Sequence, residues 1–295
     1  MSIPVREIVV SMPKKFTIPT YLSFGWLGIS AFLAVFGSLL PIDSYQTIHG
    51  DFLDSPPLTV GHWFGVDSNG YDILSGIING ARLSLFVAIF TVGIGGFIGS
   101  FLGITAAYYR GRFDNVVSTG FNVVLAVPNL VLALALVSVL ATNVDVNEAV
   151  ATWRRLVTLM ISLTIVIIPI LGRIARAATL AWSGREFVVA ARSMGMRDRH
   201  IIWRHIVPNV LPALIAVGFL AVGVVIIAEA SLSLLGVGIP DGASWGGMIA
   251  RGRNDLEYNP HALYFPIIAL ALTVICTNHI GDVIRGRLDR REAKV

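Results

Sequence analysis

The sequence predicts an all-α membrane protein with six spanning helices, and three observations carry that prediction. Apolar residues make up 55% of the 295-residue chain and charged residues only 14%, against about 25% charged in an ordinary soluble domain. The apolar residues gather into six long runs, and Lys and Arg concentrate in alternate connections between them. A water-soluble globule of this size needs a charged surface that the chain lacks, and its mean hydropathy of +0.76 says the same.

The runs lie at about 21–41, 83–109, 116–142, 156–180, 209–235 and 263–283. Each supplies the ~20 apolar residues that cross ~30 Å of hydrocarbon as a helix. In lipid the backbone must satisfy its own hydrogen bonds, which is why runs of this length read as helices. The first run is too long for a signal h-region and leads to Leu39-Leu40-Pro41 rather than to a small-residue cleavage site. In the second, Gly95, Gly99 and Gly103 line one face at four-residue spacing, the pattern that lets helix backbones approach closely in lipid. Pro128 and Pro169 fall within the third and fourth runs, where each removes a backbone donor and kinks the helix. The lone Cys276 excludes an intrachain disulfide and reads as ordinary packing. The chain divides into an N-terminal segment (1–20), a first helix with an acidic loop (21–82), a five-helix core (83–284) and a basic tail (285–295).

Orientation follows from the basic residues. With the N-terminus inside, the inner segments hold Arg6, Lys14 and Lys15, then Arg110 and Arg112, then seven Arg residues from Arg173 to Arg204, then Arg285 to Lys294. That is 17 of the 22, and only Arg82, Arg154, Arg155, Arg251 and Arg253 fall outside. The positive-inside rule therefore places both termini in the cytoplasm, with Arg154-Arg155 running against the bias. Charge distributed in this way is no nucleic-acid footprint. The first outer segment has the opposite chemistry, with Asp43, Asp51, Asp54, Asp67 and Asp72 and no Lys or Arg. It reads either as a solvated loop ordered by Asx turns or as a docking surface for an extracytoplasmic partner.

The inner segment 183–212 is the most informative. A short helix from Glu186 to about Met194 sets Ala190 and Ala191 for close contact, and Gly195 allows the left-handed conformation that ends a helix. A second helix runs from Asp198, as N-cap, to Val207, and its Ile201, Ile202, His205, Ile206 face is apolar enough to bind another protein.

Glu186-x3-Ala190-Ala191-x3-Gly195, followed by Ile206-x-Pro208, resembles the EAA loop of the membrane subunits of binding-protein-dependent ABC importers. The ending Arg204-His205-Ile206-Val207-Pro208-Asn209 is similar to that of the dipeptide/oligopeptide/nickel branch. Further matches to that branch are Gly65-Val66-Asp67, Gly80-Ala81-Arg82-Leu83-Ser84-Leu85, Ala228-Glu229-Ala230-Ser231, Ser244-Trp245-Gly246 and Gly281-Asp282, so the resemblance runs from about 65 to 291. The acidic loop after a single helix resembles the C-type member of the two paired permeases. The chain departs from the branch in having only Pro240 before Ser-Trp-Gly, in Leu288-Asp289-Arg290-Arg291, and in Arg154-Arg155.

The resemblance implies a type I ABC importer permease in a bacterial inner membrane, non-catalytic itself. It implies a homologous second permease, two cytoplasmic ATPase subunits that hold the ATP and Mg, and an extracytoplasmic substrate-binding protein. It implies that the EAA loop forms a coupling helix in a groove of the ATPase, with Glu186, Ala190, Ala191 and Gly195 as its core, Arg192 and Asp198 as polar contacts, and Ile206 and Pro208 closing the motif. Di- and oligopeptides are the implied cargo, with nickel or another small solute as the alternative.

Glu229 is the one acid well inside an apolar run, and two readings of it stand: a transport role, or a structural one with hydrogen bonds to its neighbours. From a different class, an intramembrane enzyme or a proton-coupled transporter would centre on Glu229, or an enzyme on His279 with Asp282. The sequence contains no G-x4-G-K-[ST], H-E-x-x-H or G-x-S-x-G pattern to support an enzyme, and no metal-ligand motif.

Overall fold

The computed structural model describes residues 17–42, 44–141, 152–239 and 244–292. The N-terminal basic residues Arg6, Lys14 and Lys15, together with Asp43, residues 142–151 of the second outer segment, Pro240 and Lys294, lie outside the described residues. The described chain forms α1 (Ile18–Phe36), α2 (Ile73–Tyr109), α3 (Gly111–Leu125), α4 (Asn129–Ala141), α5 (Thr152–Ser183), α6 (Glu186–Ser193), α7 (Asp198–Ile201), α8 (Val207–Leu234), α9 (Trp245–Gly252) and α10 (His261–Glu292). No β-strand longer than an isolated bridge occurs among these residues.

Among the described residues five helices are long and apolar enough to cross a membrane, and α3 with α4 makes a sixth when counted as one broken span. The break is far sharper than the kink expected at Pro128: the two halves meet at 88°. Proline lacks the N–H that would bond one turn back and pushes the residue before it, Val127, out of helical geometry. Pro169 behaves differently and is carried within a continuous α5.

Polarity in α1 is inverted relative to a soluble helix. Its buried residues are Thr20, Ser23 and Ser30, whereas Leu22, Ile29, Phe32 and Val35 are exposed. Lipid accepts the apolar face, and the polar side chains turn inward, where Trp26 Nε1 donates to Thr273 Oγ1 of α10 at 2.9 Å. Thr20 and His279 lie within hydrogen-bonding distance at 3.1 Å. The start of α1 and the end of α10 therefore share one end of the bundle, and His279 serves as a helix tie.

The most extensive helix pair is α2 with α5. A Cβ at Gly99 would strike the Ile168 carbonyl, and one at Gly103 the Gly172 carbonyl. The glycine stripe is what lets these backbones touch, and packing at that distance replaces the hydrophobic effect as the force between helices in lipid. A large core joins α2, α4, α5, α8, α9 and α10, and a smaller one sits at the end of the bundle that carries α6 and α7, around Ile104, Ala175, Val188 and Ile206.

Candidate functional site

The segment between α5 and α8 is built by three local signals. Glu186 opens α6 in its first turn, where a carboxylate suits the positive end of the helix, and Arg192 falls in the last turn. Gly195 adopts φ +76°. Its N–H donates to Arg192 O at 3.0 Å while the Met196 N–H donates to Ala191 O at 3.1 Å, the paired bonds of a Schellman stop. The chain then reverses into α7, which Arg197, not Asp198, caps in extended geometry. Asp198 is the first helical residue, and its carboxylate is used elsewhere: Tyr108 of α2 donates to Oδ1 at 2.6 Å.

The second helix does not end at Val207 as expected. It passes through a π turn, Ile202–Ile206, directly into α8. Pro208 supplies the reason, since its ring would clash with a carbonyl one α-turn earlier, and a wider turn relieves the clash. The Val207 N–H bonds Ile202 O, and the Asn209 side-chain amide donates to His205 O at 2.7 Å.

This continuity reverses the expected binding face. Ile201, Ile202 and Ile206 pack inward with Val188 and Ala191 against Ile104, Tyr108, Ala175 and Val210, and Ile206 is 0% exposed. They hold the segment to the bundle and offer nothing to a partner. The outward face consists of Glu186, Phe187, Val189, Ala190, Arg192 and Gly195, with Met194 at 77% and Trp203 at 67% exposure. Pro208 is also exposed. A period-based reading finds an apolar stripe but cannot tell whether it meets the chain's own helices or another protein, which is why Phe187, Met194 and Trp203 escaped it. Arg176 of α5 braces the same end through two bonds to Asp114 of α3, at 2.6 and 2.7 Å.

Glu229 is fully buried near the opposite end of α8. Its Oε1 accepts from Ser233 at 3.0 Å and from Ser244 at 2.7 Å, and Ser244 is also the N-cap of α9. Oε2 has no hydrogen-bond partner among the described residues and lies where a side chain at Gly246 would stand. Beside it, the Trp245 N–H donates to Ser84 at 3.2 Å and the indole N–H to Ile77 O at 2.9 Å. The carboxylate thus joins α8 to α9 where α9 meets α2.

The loop before α2 is a folded cap rather than a free loop. Asp72 caps α2 by accepting from Ser75 N at 2.7 Å, and its other oxygen lies 2.7 Å from His62 Nδ1, both side chains buried. Asp67 forms the expected Asx turn, accepting from Asn69 N at 3.0 Å and Tyr71 N at 2.8 Å. Burial lifts its carboxyl above the usual carboxylate range, offset by the bond from the Tyr71 N–H and by Arg251. Asn259 donates to Asp54 Oδ1 and Val66 O, each at 3.0 Å, Ser68 donates to Asp255, and Phe64 stacks on Phe265.

The bundle is broken at its third span and carries a short helix, α6, exposed on one face between α5 and α8. Residues 95–294 match the family described as "Binding-protein-dependent transport system inner membrane component". The chain belongs to that family and is a permease subunit of an ABC importer, a multi-pass membrane component. It is 35% identical over 252 residues, 85% of this chain and 79% of the relative, to the glutathione transport system permease protein GsiD of Pectobacterium atrosepticum. It is 36% identical, with the same coverage, to GsiD of Shigella dysenteriae and of Escherichia coli O157:H7. Among solved structures, a chain of the MetNI methionine ABC transporter in an inward-facing conformation matches with a TM-score of 0.60 at 18% identity. That match covers 72% of this chain and 97% of the other, and it shows the shared fold.

Proposed function

We propose that this permease imports short peptides of the size and polarity of glutathione, together with a homologous second permease. In this reading two cytoplasmic ATPases, which hold the ATP and Mg, drive it, and a binding protein delivers cargo to the outer cap. Both termini and the α6–α7 segment face the cytoplasm, as the basic residues require. The chain itself is non-catalytic.

One observation carries the coupling part: α6 presents Glu186, Ala190 and the Gly195 stop outward, while its other face, Val188 and Ala191, is sealed into the bundle. A helix exposed on one side and anchored on the other transmits a push. Glu186, Ala190, Arg192, Gly195 and the exposed Pro208 are assigned to the coupling surface. Ala191 and Ile206 act by anchoring it, and Asp198 through its bond to Tyr108. ATP and cargo each act by binding one state of the bundle better than another. Glu229 is assigned a structural role, because two serine hydroxyls satisfy one of its oxygens.

The test is uptake and ATP hydrolysis by the reconstituted complex. Glu186→Lys and Gly195→Asp should leave hydrolysis running while uptake falls by an order of magnitude or more. Normal uptake by both would end the coupling assignment. For the cargo, competition between glutathione, dipeptides and a nickel chelate during uptake separates the readings, and preference for the chelate would overturn the peptide assignment.

A further inference from the structure

Helix α2 is 37 residues long, about 55 Å at 1.5 Å per residue, so it runs from the outer cap to the inner end as one continuous element. It has no covalent link to the α6–α7 segment, which is joined in sequence to α5 and α8. Yet one side chain of α2 reaches both halves of that segment. Tyr108, buried one residue before the helix ends, donates its hydroxyl to Asp198 of α7 at 2.6 Å. The guanidinium of Arg192, in the last turn of α6, stands 5.2 Å from the centre of the same ring. Ile104, one turn earlier, joins the same apolar cluster, but apolar contacts fix distance without fixing direction. A short hydrogen bond to a carboxylate fixes both.

We infer that Tyr108 is a positioning residue for transport: it makes α2 follow the α6–α7 segment, so that a displacement delivered to the inner end reaches the outer cap. This rests on the coupling assignment above. Packing alone would let the segment slide along the end of α2. The Tyr108–Asp198 bond, with Arg192 over the ring, pins the two halves of the segment to one point on the helix. Tyr108 lies outside the Glu-x3-Ala-Ala-x3-Gly pattern and makes no contribution to the outward face.

The experiment compares ATP hydrolysis and uptake in proteoliposomes holding the whole complex, with Tyr108→Phe, Asp198→Ala, Asp198→Asn and the Tyr108→Phe/Asp198→Ala pair. Tyr108→Phe keeps the ring under Arg192 and removes only the hydroxyl. It should hydrolyse ATP at close to the normal rate while uptake per ATP falls about tenfold. Asp198→Ala should fall equally, the pair should fall no further than either alone, and Asp198→Asn, which keeps an acceptor, should recover most of the loss. Wild-type uptake per ATP in Tyr108→Phe overturns the inference, as does a pair whose losses add. Loss of assembly in both single variants overturns it too, by making the contact one of stability alone. Glu186→Lys, run beside them, keeps the two proposals apart. If it uncouples while Tyr108→Phe does not, only the pin is wrong; if neither does, the coupling segment itself is wrong.

Discussion

At the outer end, Asp72, Glu229 and Asn259 each bind two partners, drawn from α2, α8, α9 and the loop before α2. At the inner end, the α6–α7 segment is held by apolar packing and by the bond from Tyr108, and it leaves Phe187, Val189, Met194 and Trp203 uncovered. The capped end is cross-linked by buried polar groups whose loss is expensive, whereas the α6–α7 end leaves apolar side chains exposed. One end is built to hold shape, and the other is the end to which the proposed coupling assigns the input of force.

Substitutions can break that contrast. The largest effect should come from Met194→Ala with Trp203→Ala. Both side chains are exposed, so thermal stability should stay within about 0.5 kcal/mol, while affinity for the ATPase subunits drops ~30-fold or more, as for buried interface anchors. Equal losses of stability and affinity would erase the distinction. Next, Glu229→Ala should destabilise the permease by about 1–3 kcal/mol, because two buried serine hydroxyls lose their acceptor; a melting curve in detergent reads this. His62→Ala should cost about 1–2 kcal/mol by leaving one Asp72 oxygen unpaired, again seen in the melt, with ATPase binding unchanged. Glu229→Gln keeps an acceptor for Ser244 and should leave uptake within about twofold, whereas a complete loss at every pH would return the carboxylate to the transport pathway.

The smallest effect concerns pH. Burial raises the Asp67 carboxyl above its usual 3.8, so the folded cap holds the proton more tightly than the unfolded chain does. The stability from this group is fully present below 3.8 and is lost as pH rises through the raised value. Melting curves taken across that interval should show a small decline with rising pH, and Asp67→Asn should flatten it.

Much of this arrangement is written locally in the chain. Run length and hydropathy locate the long helices, the Gly95, Gly99, Gly103 spacing announces the α2–α5 contact, and Gly195 marks the end of α6 because few other residues take φ +76°. Pro128 signals a break, but its 88° angle depends on what α3 and α4 pack against. The inward turn of Ile201 and Ile206 depends on the π turn at Pro208, which no periodicity reveals. The outer cap was the least legible part, since His62, Asp255 and Asn259 carry no local pattern and take their meaning from residues far away in sequence.

That distance has a consequence for how the protein is made. Ser68, Val66 and Asp54 find their partners 187, 193 and 205 residues later in the chain. While the ribosome is still delivering the middle helices, these polar groups have only water to bind, and non-local contacts of this kind close late. The cap can shut only after the connection between α9 and α10 has emerged on the same side of the bilayer as the acidic loop. Its closure therefore reports that the intervening helices have left the two loops on one side of the bilayer. A chain with one span inverted or skipped would leave those aspartates and Asn259 apart, an open site that a membrane protease could recognise.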